Sequence, residues 1–426
     1  METIIKRISE LGEVVGGGTP STAIDEYWNG DIPWISPKDL TGYTAVYIAN
    51  GESFITSKGL NKSGTRLLPK NTVLFSSRAP IGYIALAANP ICTNQGFKSI
   101  VCNEDIVNPL FLYYYLKANL SYIRLFGTGA TFPEISGSAM RKIKLQVFKD
   151  VRYQKRVADI LFQFDALIEN NNTRIGLMEK MARGLYKEWF VRFRYPGHEK
   201  DSLVASKLGK TPSSFDLAQM NEVFDYYIGG GWGNDIPSED YPVEASVIRG
   251  ADFPGVWRYD VSSCPVRYHK ASNYKSRKLE DGDIVMEISG GTAEQPVGRT
   301  VLVTQDMIDR FKDGTVICAS FCKLIRLKKK KISPYYFYFW MHYLYDTRII
   351  DRFQLQSTGI INFKFESFLR KGLVMLPPKT VMDAFDNEVA PIFKEMNVLA
   401  QQNDLLIKQR DLLLPRLMSG KLEVNI

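Results

Sequence analysis

Histidine is scarce in this chain of 426 residues: His198, His269 and His342 are the only three, far apart and without a cysteine or acidic neighbour at ligand spacing. A structural or catalytic zinc is therefore not expected. Five cysteines (Cys92, Cys102, Cys264, Cys318 and Cys322) include no Cys-x-x-Cys pair and sit in apolar or strand-like runs, which reads as reduced core thiols. No segment approaches the roughly 18 uncharged apolar residues that span a bilayer, and the opening METIIKRISELGEVV carries no long apolar run. A cytoplasmic chain with no membrane partner is expected. No Gly-Lys-Ser/Thr follows the triple glycines, so a phosphate-binding P-loop is excluded. Nor does a strand lead into a glycine-rich loop of the kind that holds S-adenosylmethionine.

What is present is length, basicity and repetition. The length allows two or three domains, each with its own core. Lys and Arg number 54 against 46 Asp and Glu, a net charge of +8. That balance favours an anionic partner, nucleic acid first and an acidic protein second.

The chain is duplicated. Val15-Gly16-Gly17-Gly18 returns as Ile228-Gly229-Gly230-Gly231, and the same offset carries Trp34-Ile35 to Val247-Ile248 and Asp39-Leu40 to Asp252-Phe253. LLPKNTVLFSS (67–77) matches KLEDGDIVMEIS (278–289), a turn followed by an apolar strand. Asn108-Pro109-Leu110-Phe111 is echoed by Ser333-Pro334-Tyr335-Tyr336, and Thr128-Gly129 by Thr358-Gly359. The first of these tetrapeptides is similar to the Asn-Pro-Pro-Tyr/Phe with which adenine methyltransferases hold a flipped base. Its second proline is missing, however, and its repeat partner points to a plainer role: Asn or Ser caps a helix whose first residue is Pro. Each half thus reads as an α/β (α+β) globule of about 150 residues, a usual domain size, with a strand near its end (143–147 and 373–376).

A long helix follows each globule. Val157, Leu161, Phe164, Ile168, Asn171, Ile175, Met178, Ala182, Leu185 and Trp189 step by four and three, as do Phe385, Val389, Ile392, Met396, Leu399, Asn403, Leu406, Arg410, Leu413 and Leu417. Both are heptad seams. Packed antiparallel with Asn171 opposite Asn403, every seam residue meets another: Val157 with Leu417, Leu185 with Val389, Trp189 with Phe385, and Phe164 with Arg410 as a cation-π layer. A buried Asn pair penalises slipped registers. Two amphipathic helices packed separately on their own domains are the alternative. A seam of roughly 33 residues is about 50 Å long, matching about 15 base pairs of DNA at about 3.4 Å each. Two domains held at its ends about a pseudo-twofold axis would meet DNA pseudo-palindromically.

GGGTPS (16–21), IPWISPKDL (32–40), SSRAPIG (76–82), the Thr128-Gly129 turn, YQKRVADIL (153–161), KLGKTPSSF (207–215) and LLLPRLMSGKL (412–422) together resemble the specificity subunit of type I restriction-modification systems, over nearly the whole chain and in that family's order. The resemblance implies two similar target-recognition domains (1–149 and 222–379) separated by two long antiparallel coiled-coil helices (150–194 and 380–420), with a linker at 195–221 and a tail at 421–426. It further implies a non-catalytic subunit that reads a bipartite double-stranded DNA target, one domain per half-site, and recruits two methyltransferase (modification) subunits, with restriction/translocase subunits added for cleavage. No cofactor would be bound by this chain; S-adenosylmethionine, ATP and Mg would belong to the partners. The second half departs where GGGWGN replaces GGGTPS and EISGGTAEQPVG replaces SSRAPIG. A coiled-coil scaffold with no nucleic-acid role and a stand-alone DNA methyltransferase are the competing functions.

Candidate DNA contacts follow from residue chemistry. Gly17, Gly18 and Thr19 can bring backbone amides to a phosphate, with a structural turn as the alternative. Lys38 adds a cation nearby. Ser76, Ser77 and Arg78 lie just beyond a strand, where hydroxyls suit phosphate oxygens and a guanidinium suits guanine or phosphate, or else Arg78 is a surface residue of a turn. Asn94 and Gln95 can offer amides to an adenine edge or simply make a turn. In the second half Arg267, Lys270, Tyr274, Lys275, Arg277 and Lys278 form a basic stretch with aromatic residues between.

Overall fold

Val73-Leu74-Phe75 and Ile284-Val285-Met286 are fully buried apolar triplets, each preceded by a turn (Asn71 and Gly282, both at positive φ). Such runs form central strands covered on both faces, and both do so here. The computed structural model describes residues 1–129, 131–292, 295–357 and 360–425. They fall into two compact units, Met1–Asn170 with Asn403–Ile426, and Asn171–Gln402.

In the first unit a sheet runs in the order Gly12–Gly16, Lys98–Cys102, Val73–Phe75, Ile84–Ala87, Tyr47–Ile48. In the second the corresponding order is Phe224–Gly229, Cys322–Leu327, Ile284–Glu287, Thr300–Leu302. A smaller sheet in each has a parallel pair: Trp34-Ile35 beside Cys92-Thr93 in one, Val247-Ile248 beside Ile317-Cys318 in the other. Single backbone bonds recur as well. Gly18 N–H donates to Thr93 O and Gly231 N–H to Cys318 O, both at 2.9 Å; Asn94 N–H donates to Ile35 O and Ala319 N–H to Ile248 O, again both at 2.9 Å. The duplication read from the sequence is thus a duplication of hydrogen bonds. Of its motifs, Thr358-Gly359 lies outside the described residues.

The aromatic helices Pro109–Ala118 and Pro334–Asp346 start alike. Asn108 Oδ1 accepts from Phe111 N–H at 3.0 Å and Ser333 Oγ from Tyr336 N–H at 3.2 Å, with Pro at the first helical position of each. The strands Lys144–Phe148 and Leu373–Leu376 are paired by Thr3–Arg7 and Asp216–Gln219. That last strand, and a hairpin of Leu203–Ser206 with Gly209–Pro212, lie in the segment 195–221 that the resemblance gave as a linker. Here Leu217 and Ala218 pack inward, so the segment belongs to the second unit's structure.

The long helices run Val151–Tyr186, continued by one π-helical turn at Lys187–Val191, and Lys379–Met418. Their seams are buried or half-buried. In the first unit Val157 and Leu161 share a core with Leu414 and Leu417. In the second, Trp189 meets Phe385 at 5.8 Å between ring centroids, Leu185 packs with Val389, and Ile175 and Met178 pack with Met396 and Leu399. Asn171 and Asn403 are buried, and Asn171 Nδ2 donates to Gln402 Oε1 at 3.5 Å. The Phe164–Arg410 layer differs from expectation: Arg410 pairs with buried Asp165, whose other oxygen accepts the Tyr114 hydroxyl at 2.6 Å. A carboxylate one position along attracts the guanidinium more strongly than an aromatic face does.

Candidate nucleic-acid interface

Three loops of the first unit converge. A Cβ on Gly17 would lie 1.9 Å from Asn94 O, so only glycine lets the triple-glycine turn approach the 94–96 loop this closely. The Thr19 hydroxyl then donates to Gln95 Oε1, and Asn94 Oδ1 accepts from Gly96 N–H at 2.8 Å, fixing the loop. The 76–78 segment joins through Ser77 N–H, which donates to Gly96 O at 2.7 Å. Thr19 and Gln95 are exposed, and Arg78 keeps 38% of its side chain accessible.

The sequence candidates divide at this site. The amides of Gly17 and Gly18 already donate to Phe97 O and Thr93 O, so the glycines make the turn and have no N–H left for a phosphate. Ser76 and Ser77 are fully buried: Ser76 Oγ donates to Pro80 O and accepts from Tyr83 N–H at 2.8 Å, while Ser77 Oγ donates to Gly96 O at 3.0 Å. Neither hydroxyl can reach DNA. Lys38 is exposed and paired with Glu52 at 2.8 Å, on the short helical turn Pro37–Leu40; a Cβ on Gly96 would lie 3.3 Å from Pro37. Two residues of the cluster escaped notice in the sequence. Lys98 Nζ lies 3.4 Å from Glu134 Oε1, and Arg78 lies 3.3 Å from Glu134 Oε2, so one carboxylate orients two cations. Strand alternation gave no signal for Lys98, since it shares its side of the strand Lys98–Cys102 with buried Ile100.

In the second unit the basic stretch is partly spent on its own fold. Arg267 pairs with Asp235, donates to Trp232 O at 3.2 Å, and lies over the Trp232 ring at 4.6 Å, leaving 11% of its side chain accessible. Arg277 Nε donates to Gly229 O at 2.9 Å, clamping the helix Ala271–Arg277 to the triple-glycine strand. Tyr274 is half-buried against Val247, Ile317 and Ala319. All three make contacts within their own domain. Lys270 lies 5.3 Å from the Tyr241 ring, and Lys270, Lys275 and Lys278 are exposed. Burial, with Arg267 and Arg277 nearby, holds the His269 imidazole below its ordinary value. Lys323 sits over Phe365 at 4.2 Å, and burial pushes its ammonium down.

Among the described residues no His, Cys, Asp or Glu group is arranged to hold a metal ion, and no helix is long and apolar enough to cross a membrane. Burial raises the Cys264 and Cys318 thiols to about 12, so neither is a nucleophile.

Comparison with known proteins agrees with this picture. The type I restriction modification DNA specificity domain matches residues 2–179. The MjaIX type I restriction enzyme specificity subunit of Methanocaldococcus jannaschii is 31% identical, over 99% of this chain and 94% of its own length. The EcoR124I/EcoR124II specificity subunit of Escherichia coli is 34% identical over 49% of this chain and 50% of that one. The S subunit of a type I restriction-modification system from M. genitalium shares the fold, with a TM-score of 0.56 at 15% identity over 98% of this chain and 96% of that one. None of these matches supports a plain scaffold or a stand-alone methyltransferase. A repeated α/β frame, paired long helices and a whole-length match place the chain in one family: it belongs to the specificity subunits of type I restriction-modification systems.

Proposed function

We propose that each repeated domain reads one half of a split duplex-DNA target, and that the long helices set the separation of the halves and carry two modification subunits. Methyl transfer, and cleavage where restriction subunits join, belong to the partners with their S-adenosylmethionine, ATP and Mg; this chain binds no cofactor and performs no chemistry. It works in the cytoplasm, on the cell's DNA. The observation that carries the reading is the convergence of three loops on Thr19, Gln95 and Arg78, with Lys98 beside them. There an amide can face a base edge while cations face phosphates.

Assembly is supported by the outer faces of the helices. Leu167, Leu405 and Leu412 in the first unit, and Leu177 and Met181 in the second, are each more than half exposed. Apolar residues repeated along a helix away from its seam suit a protein partner. Register set by Asn171 and Asn403 would then fix the spacer between half-sites.

The test is genome-wide mapping of methylated bases in cells that express the chain with its modification partner, against cells lacking only this chain. A split motif with a fixed spacer, lost on deletion, is expected. Methylation that persists without the chain refutes the reading, as does a motif without two halves. Salt-independent DNA affinity of the assembled complex would instead favour a scaffold, because phosphate contacts release counterions.

A further inference from the structure

Backbone hydrogen bonds that frame the first unit's reading cluster recur around a different set of side chains in the second. Ser77 N–H donates to Gly96 O at 2.7 Å, and Ile288 N–H to Phe321 O at 2.9 Å; Ile135 N–H donates to Ser77 O at 3.0 Å, and Phe363 N–H to Ile288 O at 2.8 Å. With Asn94 matched to Ala319 by the bond given above, Gln95 corresponds to Ser320 and Gly96 to Phe321. Arg78 corresponds to Ser289, and Glu134 to Asn362. Even the link between these last two is kept: Arg78 meets Glu134, and Ser289 Oγ donates to Asn362 Oδ1 at 2.6 Å.

The position is therefore the same, and its chemistry is inverted. Where the first unit offers an amide and a guanidinium, the second offers Ser320 and Phe321, the latter 64% exposed on the turn between the strands Val316–Cys318 and Cys322–Leu327. Phe321 belongs to none of the apolar cores of its domain. Lys323, in the place of Lys98, is held down by burial against aromatic rings. Exposed cations near this turn lie instead on the segment of Lys270, Lys275 and Lys278, whose Tyr274 packs against Ala319.

We infer that the second domain reads duplex DNA through the 319–321 turn, with Phe321 laid against a thymine methyl in the major groove and the flanking lysines on phosphates. The thymine C5-methyl is the apolar mark of that groove, and a phenyl edge complements it where a hydrogen-bonding side chain would not. The basic stretch Arg267–Lys278 then positions the domain without carrying sequence information, since phosphate contacts orient and base contacts specify. The inference rests on the proposal that each domain reads one half-site.

The experiment maps methylated motifs in cells carrying the full complex with Phe321→Ser, Phe321→Leu or Gln95→Ala. Each side chain is exposed, and a thermal melt checks that the variants fold. Phe321→Ser is expected to admit other bases at one A·T position of one half-site, lowering discrimination there about tenfold. Gln95→Ala is expected to blur the opposite half, and Phe321→Leu to keep the wild-type motif. An unchanged motif in Phe321→Ser overturns the inference, as does a blur at a G·C position or in the half that Gln95→Ala affects. Failure of the underlying proposal shows differently: the wild-type chain would direct no split motif at all.

Discussion

The two domains differ most instructively where their backbones agree best. Ser76 N–H donates to Tyr83 O and Gly82 N–H to Ser76 O; Glu287 N–H donates to Arg299 O and Gly298 N–H to Glu287 O, all between 2.9 and 3.0 Å. Both glycines have positive φ, 104° and 110°. On this shared turn the first domain places a hydroxyl that accepts the Tyr83 amide. The second places a carboxylate in a two-pronged pair with Arg299, at 2.8 and 2.7 Å, with both side chains under 10% accessible. The larger pair needs room, and the facing loop supplies it. A Cβ on Gly250 would lie 2.1 Å from Glu287 Oε1, and the Gly250 carbonyl accepts from Arg299 at 2.9 Å. Gly250 stands where the first domain has Pro37. Duplicated domains can thus exchange a neutral hydrogen-bond hub for a buried ion pair while the main chain stays put, provided the space-making change occurs with it.

The largest expected effect breaks that pair on one side. Arg299→Met leaves Glu287 charged, buried and without its guanidinium, which costs about 3–5 kcal/mol. Replacing both residues with apolar ones of similar volume removes the unpaired charge and recovers most of the loss. Urea unfolding of the full chain measures both variants. A single-variant loss below about 1 kcal/mol would mean that water reaches Glu287, and that the two domains differ less at this turn than their side chains suggest.

At the matching place in the first domain the effect is smaller. Ser76→Ala strands the Tyr83 N–H, a neutral donor, at a cost of about 1–3 kcal/mol. Comparing the two unfolding curves orders the hubs directly. If Ser76→Ala proved as damaging as Arg299→Met, charge would not be what separates them.

How much of this was legible in the sequence depends on period and offset. The seams were, because a 3.5-residue repeat survives substitution of individual residues, and Trp189 does meet Phe385. The helix starts were, because Asn-Pro and Ser-Pro carry a local mechanism. The match of 67–77 to 278–289, which carries Ser76 to Glu287, was legible too. The correspondence of the 94–97 and 319–322 loops was not: Gly17 maps to Gly230 and Asp39 to Asp252 at one offset, but Tyr83 maps to Arg299 and Phe97 to Cys322, each at another, as loops lengthen and shorten between the domains. Ser76 and Ser77 misled for a different reason. A serine after a strand usually faces water, and only the fold shows the Pro80 and Gly96 carbonyls waiting for these two. Arg267 and Arg277 misled similarly, since a basic run does not announce which of its guanidinia are already taken by carbonyls.

The smallest expected effect sharpens the comparison at the aromatic helices. In the first domain the helix start is braced by a neutral group: Gln154 Oε1 accepts from Asn108 N–H at 2.8 Å. In the second, Ser333 donates to Asp386 Oδ1 at 2.6 Å, and burial, with Asp383 adding to it and Lys379 opposing it, pushes the Asp386 carboxyl up to about 6. A carboxyl whose folded value lies above its unfolded one contributes stability at low pH and loses it as pH rises through about 6. Asp386→Asn keeps an acceptor for Ser333 and removes the charge. It should therefore raise the melting temperature at pH 8, with the gain shrinking as pH falls below about 6 and vanishing near the ordinary carboxylate range. Gln154→Glu in the first domain should do the reverse, importing into a site with two more carbonyl partners, Ile106 O and Phe148 O, a charge that those carbonyls repel. A pH-independent gain in Asp386→Asn would show that packing, not titration, distinguishes the two helix starts.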